Sequence, residues 1–158
     1  MRILLATHGS HCSHAATQAL VRQFRTDGTD VHVLHAIEWP RLFPENFSFG
    51  TGPEFAGEVK EFLDRERRWA HELVESTART LRQAGFHTTS VVVECDARKA
   101  ILDYAAEWNP DLIVLGSRDR RGIDRIILGS ISEAVARHAP CSVQIIRTPV
   151  SEASSNAA

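Results

Sequence analysis

The sequence predicts an α/β protein built on a doubly wound parallel sheet, and three observations carry that expectation. Five short β-prone runs recur along the chain: RILLAT, VHVLHAI, TTSVVVE, DLIVLG and CSVQIIR. Stretches with apolar residues at helical spacing lie between them. Strands alternating with helices imply a parallel sheet covered on both faces, and right-handed crossovers wind it in both directions. The chain has 158 residues, 43% hydrophobic and 24% charged, enough for one domain with a full core.

Residues 2–7, RILLAT, read as a buried strand entering the turn HGS. The following stretch spaces Ala15, Ala19, Leu20 and Phe24 helically and is expected to close at Asp27-Gly28. VHVLHAI (31–37) is the second strand. From Glu38 to Gly57 the periodicity dissolves. Pro40, Pro44, Pro53 and five aromatics (Trp39, Phe43, Phe47, Phe49, Phe55) mark a long loop that covers a pocket, meets a partner or packs on the next helix. Phe55, Val59, Phe62, Leu63, Trp69, Leu73, Val74, Ala78 and Leu81 then form one face of a long helix ending near Gly85, with Glu61, Arg65, Glu72 and Glu75 on its solvated side. TTSVVVE (88–94) is the third strand, and ARKAILDYAAEW the third helix with Asp96 as its N-cap. DLIVLG (111–116), SISEAVARHA (130–139) and CSVQIIR (141–147) complete the pattern. Residues 1–148 are expected to form a single domain, with 149–158 a polar tail that frays.

Composition narrows the function. A formal net charge of −2 gives no dominant basic face, so nucleic acid is not an expected partner. No apolar run approaches the roughly 18 residues that span a bilayer, so a membrane is not expected either. Cys12, Cys95 and Cys141 lie far apart without a CxxC spacing, which points to reduced thiols and a cytoplasmic setting. His8, His11, His14, His32 and His35 do not predict a metal site. No carboxylate accompanies them, and strand positions 32 and 35 face opposite ways. Ser10 or Cys12 beside His8 resembles a catalytic fragment, but no G-x-S-x-G elbow is present, so a hydrolase is disfavoured.

In an open α/β sheet, ligands bind beyond the carboxyl ends of the strands where the strand order reverses. The turns THGS and GSRDRRGIDRIILGS (116–130) occupy such places. Gly116 follows a strand, and Gly129-Ser130 opens a helix whose unpaired amides attract anions. An alternative needs no ligand: Ser130 with Glu133 forms a capping box. The loop is neither a Walker loop nor a GxGxxG turn.

DLIVLGSR, GSISEAVARHA and APCSVQIIR, together with the opening RILLATHGSHCSHAA, resemble the universal stress protein family over residues 1–148. The resemblance implies a five-stranded sheet in order 3-2-1-4-5 and a homodimer paired through the last strand, Cys141 to Arg147. Family members that bind ATP share G-x2-G-x9-G-[ST] after the fourth strand. Here the first glycine is Gly116 and the closing pair is Gly129-Ser130, but the middle glycine is replaced by Asp119. Binding members also carry an aspartate in a stretch like VDGS, where this chain has His8. The remaining contact positions implied are Ala6, Thr7, Ala36, Leu115, Ile131 and Ser132.

Asp119 places a Cβ and a negative charge where a polyphosphate would lie. Like charges about 4 Å apart repel by roughly 1 kcal/mol in water and about 4 kcal/mol at a half-buried dielectric. Arg118, Arg120, Arg121 and Arg125 outnumber Asp119 and Asp124 in the loop and offset that repulsion or pair with Asp119. The expectation is a non-enzymatic stress-response protein with an altered, weakened adenine-nucleotide or anion site. The alternative keeps ATP, with magnesium only alongside it, as a nucleotide-dependent regulator or slow ATPase.

Overall fold

A computed structural model describes residues 1–38, 53–118 and 128–148, with the side chains of 53–56, 58, 118 and 148 left out. In chain order the elements are β1 (Arg2–Ala6), α1 (His11–Gln23), β2 (Asp30–Ala36), α2 (Pro53–Gln83), β3 (His87–Val93), α3 (Ala97–Trp108), β4 (Leu112–Arg118), α4 (Ser130–His138) and β5 (Ser142–Thr148). The five strands form one sheet in the order β3-β2-β1-β4-β5, and every neighbouring pair is parallel. The doubly wound architecture and the strand order therefore match expectation. β1 lies at the centre, with β2 and β4 on either side, so the strand order reverses there.

Alternation along the strands divides the core in two. Ile3, Leu5, Val31, Val33 and Val114 pack with Ala16 and Leu20 of α1 and Val74, Ala78 and Leu81 of α2. Leu4, Leu34, Ile113 and Leu115 pack on the other face with Ala100, Ile101 and Ala105 of α3 and Val135 of α4. Histidines of β2 follow the same parity. His35 meets Trp69 of α2 edge-on, whereas His32 stacks on Trp108 of α3.

Local chemistry sets the element ends. Asp96 caps α3 as expected, accepting hydrogen bonds from the Arg98 and Lys99 amides at 3.0 and 3.2 Å. The Arg98 guanidinium is the larger cause, with the Lys99 amide second, of an Asp96 carboxyl held down at about 2. Glu38 accepts from the next amide, Ala97, at 2.9 Å. Helix α1 stops at Gln23, earlier than the Asp27-Gly28 expected. Phe24 is extended (φ −113°, ψ 147°) and packs against the core, turning the chain out of the helix. Gly28, at φ +66°, serves the turn into β2 instead.

Helix α2 has 31 residues, about 46 Å at 1.5 Å per residue. The seven-residue strands beside it span only about 23 Å. Its first half therefore projects past the carboxyl edge of the sheet, and Ala70 is the first buried residue along it among the described side chains. Trp69 lies beside the buried line rather than on it, and remains 46% exposed. Glu61, Arg65 and Glu72 are exposed as expected, while Glu75 is half-buried and bonds Arg82 at 2.7 Å. The aromatic segment 39–52 lies outside the described residues, as does the tail beyond Thr148.

Candidate functional site

The turn after β1 is built by hydrogen bonds to both sides. The Thr7 amide donates to the Leu34 carbonyl at 2.9 Å, continuing the sheet. The Thr7 carbonyl accepts from Nδ1 of buried His35 at 2.8 Å. A carbonyl only accepts, so Nδ1 of His35 carries the proton. Gly9 then takes φ +74°, and Ser10 caps α1 by accepting from the Ser13 amide at 3.3 Å.

This turn places His8 against the start of α1. Its amide donates to Ser13 Oγ at 3.2 Å, and its Nδ1 shares a 2.9 Å hydrogen bond with the same oxygen. Ser13 is 2% exposed, so its hydroxyl is an internal brace for the His8 side chain. Nothing in the sequence patterns singled out Ser13, although its place in the first turn of α1 puts it within reach of the preceding loop.

Leu115 of β4 is buried and pairs in register with Ala6 of β1. Ala6, Ala36 and Ile131 are half-buried and pack on the same apolar cluster as Leu115. These four expected positions therefore share one apolar floor at the carboxyl ends of β1, β2 and β4. Gly116 has a different task. A Cβ built there would lie 2.2 Å from the Cys12 carbonyl oxygen and 2.9 Å from the Ser13 amide nitrogen. The backbone of α1 approaches β4 so closely that only glycine fits.

Helix α4 departs from the capping box. Gly129 is the N-cap (φ −63°, ψ 151°) and gives no side-chain bond, and Ser130 is already the first helical residue. With the frame shifted by one, Ser130 cannot act as cap, and Glu133 pairs with Arg137 at 2.9 Å. The first amides of α4 thus lack a side-chain acceptor from the N-cap, in a place where the helix dipole favours negative charge. Gly129 and Ser130 are exposed, whereas Ser132 is 4% exposed. Ser117, buried on β4, was missed by pattern. Its Oγ lies 3.9 Å from where a Gly129 Cβ would stand. Asp119 and the rest of 119–127 lie outside the described residues.

Other chemistry is sparse. Among the described residues no group of three or more histidine, cysteine or acidic side chains converges to hold a metal. Among the described residues no disulfide joins the three cysteines, and burial pushes the Cys141 thiol up. Among the described residues no helix is long and apolar enough to cross a membrane. An open groove lined by His71, Val74, Glu75, Arg79 and Ser90 lies between α2 and β3.

Comparison with known proteins gives a consistent picture. The model of the universal stress protein family matches residues 1–147. A protein of Staphylococcus haemolyticus named for that family is 28% identical over 148 residues, covering 92% of this chain and 84% of that protein. Among solved structures, UspA of Lactobacillus plantarum superposes with a TM-score of 0.71 at 23% identity, covering 93% of this chain and 97% of that one. A universal stress family protein of Arabidopsis thaliana with AMP bound gives 0.70 at 18% identity, covering 99% of this chain and 97% of the other. At these identities the structural likenesses speak to the fold.

Proposed function

The chain belongs to the universal stress protein family, and we propose that it acts in the stress response as a non-enzymatic binding protein with an altered adenine-nucleotide or anion site. The observation carrying this reading is the hydrogen-bonded His8–Ser13 pair. Where ATP-binding relatives resemble one another in an aspartate, this chain holds an imidazole braced into α1. A carboxylate accepts hydrogen bonds from ribose hydroxyls at two oxygens, whereas the His8 imidazole already spends Nδ1 on Ser13 Oγ and cannot match that pair of acceptors. The family's glycine pattern would put the negative charge of Asp119, which lies outside the described residues, on the phosphate side.

What remains suits a smaller anionic ligand. The start of α4 offers main-chain amides without an N-cap side chain in competition, and the floor of Ala6, Ala36, Leu115 and Ile131 suits an apolar or aromatic moiety. A nucleotide with one phosphoryl group meets less repulsion from Asp119 than ATP does. The Arabidopsis relative, with AMP bound, is a precedent for such a ligand. Ser13 accepts the His8 amide and is buried, which makes it a poor nucleophile and supports the non-enzymatic reading. Residues 1–148 act as one domain in this reading, in the cytoplasm, as a homodimer joined through β5. An edge strand carrying Val143, Ile145 and Ile146 gains from being covered.

A second reading, an ATP-dependent regulator or slow ATPase with magnesium bound alongside ATP, draws on the same α4 start. Denaturing the purified protein and analysing the released small molecules separates the two. The first reading expects less than stoichiometric ATP. Stoichiometric ATP that survives purification would overturn it.

A further inference from the structure

Helix α3 carries Tyr104 and Trp108 one turn apart, and both meet His32 near the amino end of β2. Trp108 stacks on His32 with centroids 3.8 Å apart and planes at 15°. Tyr104 lies 5.6 Å from His32 and 6.5 Å from Trp108, centroid to centroid. The Tyr104 hydroxyl and Nδ1 of His32 share a 2.7 Å hydrogen bond. Arg2 of β1 sets its guanidinium carbon 4.5 Å from the centroid of the same indole. Half-buried aromatic clusters are ordinary packing. This one differs in the order of its groups: a phenol bonded to a base, and the base stacked on an indole.

Both partners of the hydrogen bond are held in the form that lets a proton pass. Burial first and the Arg2 charge second keep the His32 pKa below its ordinary value of 6.5. Asp30, bonded to His87 of β3 at 2.8 Å, opposes them, and His87 adds to them. Burial, with Glu107 of α3 second, pushes the Tyr104 pKa up. Near neutral pH the pair is therefore a neutral imidazole facing a protonated phenol, within the reach of proton transfer. Losing one electron makes a phenol strongly acidic, so a base already in contact eases that loss. Trp108 is half-buried, and the Arg2 cation beside it disfavours a positive charge resting on the indole.

We infer that Trp108, Tyr104 and His32 form a relay that takes up one-electron oxidation by a small oxidising radical. Trp108 gives one electron to the radical, which leaves as its anion. Tyr104 then gives one electron to the Trp108 radical cation and its phenolic proton to Nδ1 of His32. The O–H bond breaks and the N–H bond forms. The products are intact Trp108, a Tyr104 phenoxyl radical, a His32 imidazolium and the reduced oxidant, so charge and electrons balance. This relay stands toward the amino ends of the strands and does not depend on a nucleotide.

The test is pulse radiolysis of the full-length protein with azidyl radicals as the oxidant. Tyr104 is the one tyrosine of the chain, whereas Trp39 and Trp69 accompany Trp108, so phenoxyl absorption reports Tyr104 alone. In wild type, tryptophanyl absorption should decay as phenoxyl absorption grows, at a rate independent of protein concentration. Trp108→Phe should abolish that coupled growth although the other two tryptophans remain. His32→Gln, which accepts a hydrogen bond but not the proton, should slow it on the order of a hundredfold. A further measurement on wild type needs no substitution. The growth rate should fall as pH drops below about 6.5 and His32 gains its proton, and His87→Gln should keep that response. Absence of coupled growth in wild type overturns the inference, as does growth of equal rate in Trp108→Phe or in His32→Gln. A rate unchanged by pH across the same window overturns it too, and so does loss of the response in His87→Gln.

Discussion

Replacing Gly116 by alanine should destabilise the fold, although this glycine begins the motif associated with nucleotide binding. The added Cβ would stand 2.2 Å from the Cys12 carbonyl oxygen, 2.4 Å from its carbon and 2.9 Å from the Ser13 nitrogen. All three are main-chain atoms of α1, so no side-chain rotation relieves the clash. To restore ordinary contact, α1 must move by about 1 Å or more, disturbing its packing on β4 and β5. Overpacking of this kind costs about 1–3 kcal/mol, and the backbone obstacle puts the expectation at the upper end. At roughly 2–4 °C per kcal/mol for a chain of this size, melting should fall by about 5–10 °C. Gly129→Ala is the matched control. It has φ −63° and, among the described residues, nothing nearer than Ser117 Oγ at 3.9 Å, so its cost should stay below about 1 kcal/mol. Urea unfolding of both variants measures the difference. Gly116→Ala within about 0.5 kcal/mol of wild type would refute the reasoning, because α1 would then be free to shift.

Three further outcomes are expected. Burial is the larger cause and the Arg2 charge the second of the lowered His32 pKa, with Asp30 opposing and His87 adding slightly. The folded state therefore favours neutral His32. The associated stability is present above about pH 6.5 and is lost as pH falls through the lower folded pKa; urea midpoints of His32→Gln should depend less on pH across that window than those of wild type. Asp96→Ala removes the acceptor for the Arg98 and Lys99 amides and should cost about 1 kcal/mol by the same assay, a loss of nothing contradicting its role as cap. Sedimentation should find a dimer at micromolar concentration, and a charged substitution at Ile145 in β5 should shift it to monomer; a wild-type monomer at high micromolar concentration would remove β5 as the interface.

Much of this architecture was legible because periodicity and punctuation agree. Asp96 precedes a helical pattern and ends up as its cap, and the alternation in DLIVLG places Ile113 and Leu115 on one face. Where reading stopped short, the deciding partner lay far away in sequence. Phe24 continues the helical spacing of α1, yet its pull toward the core ends the helix. Ser130 and Glu133 have capping-box spacing, but the backbone assigns the cap to Gly129, one residue earlier. Gly116 carries the expected residue for an unexpected reason, since the obstacle is the α1 main chain about 100 positions upstream in sequence. Trp69 meets Gly9 of the β1–α1 turn only because α1 and α2 cover the same face of the sheet. No local pattern encodes that.

The central claim is that His8 and Asp119 weaken a nucleotide site whose other parts persist. Calorimetric titration of ATP with magnesium into wild type, His8→Asp, Asp119→Gly and the double variant tests it most directly. The account predicts weak wild-type binding, a gain of roughly 1–4 kcal/mol from Asp119→Gly, and a further gain on adding His8→Asp, with coupling through the shared ligand. Tight wild-type binding that neither substitution changes would contradict it.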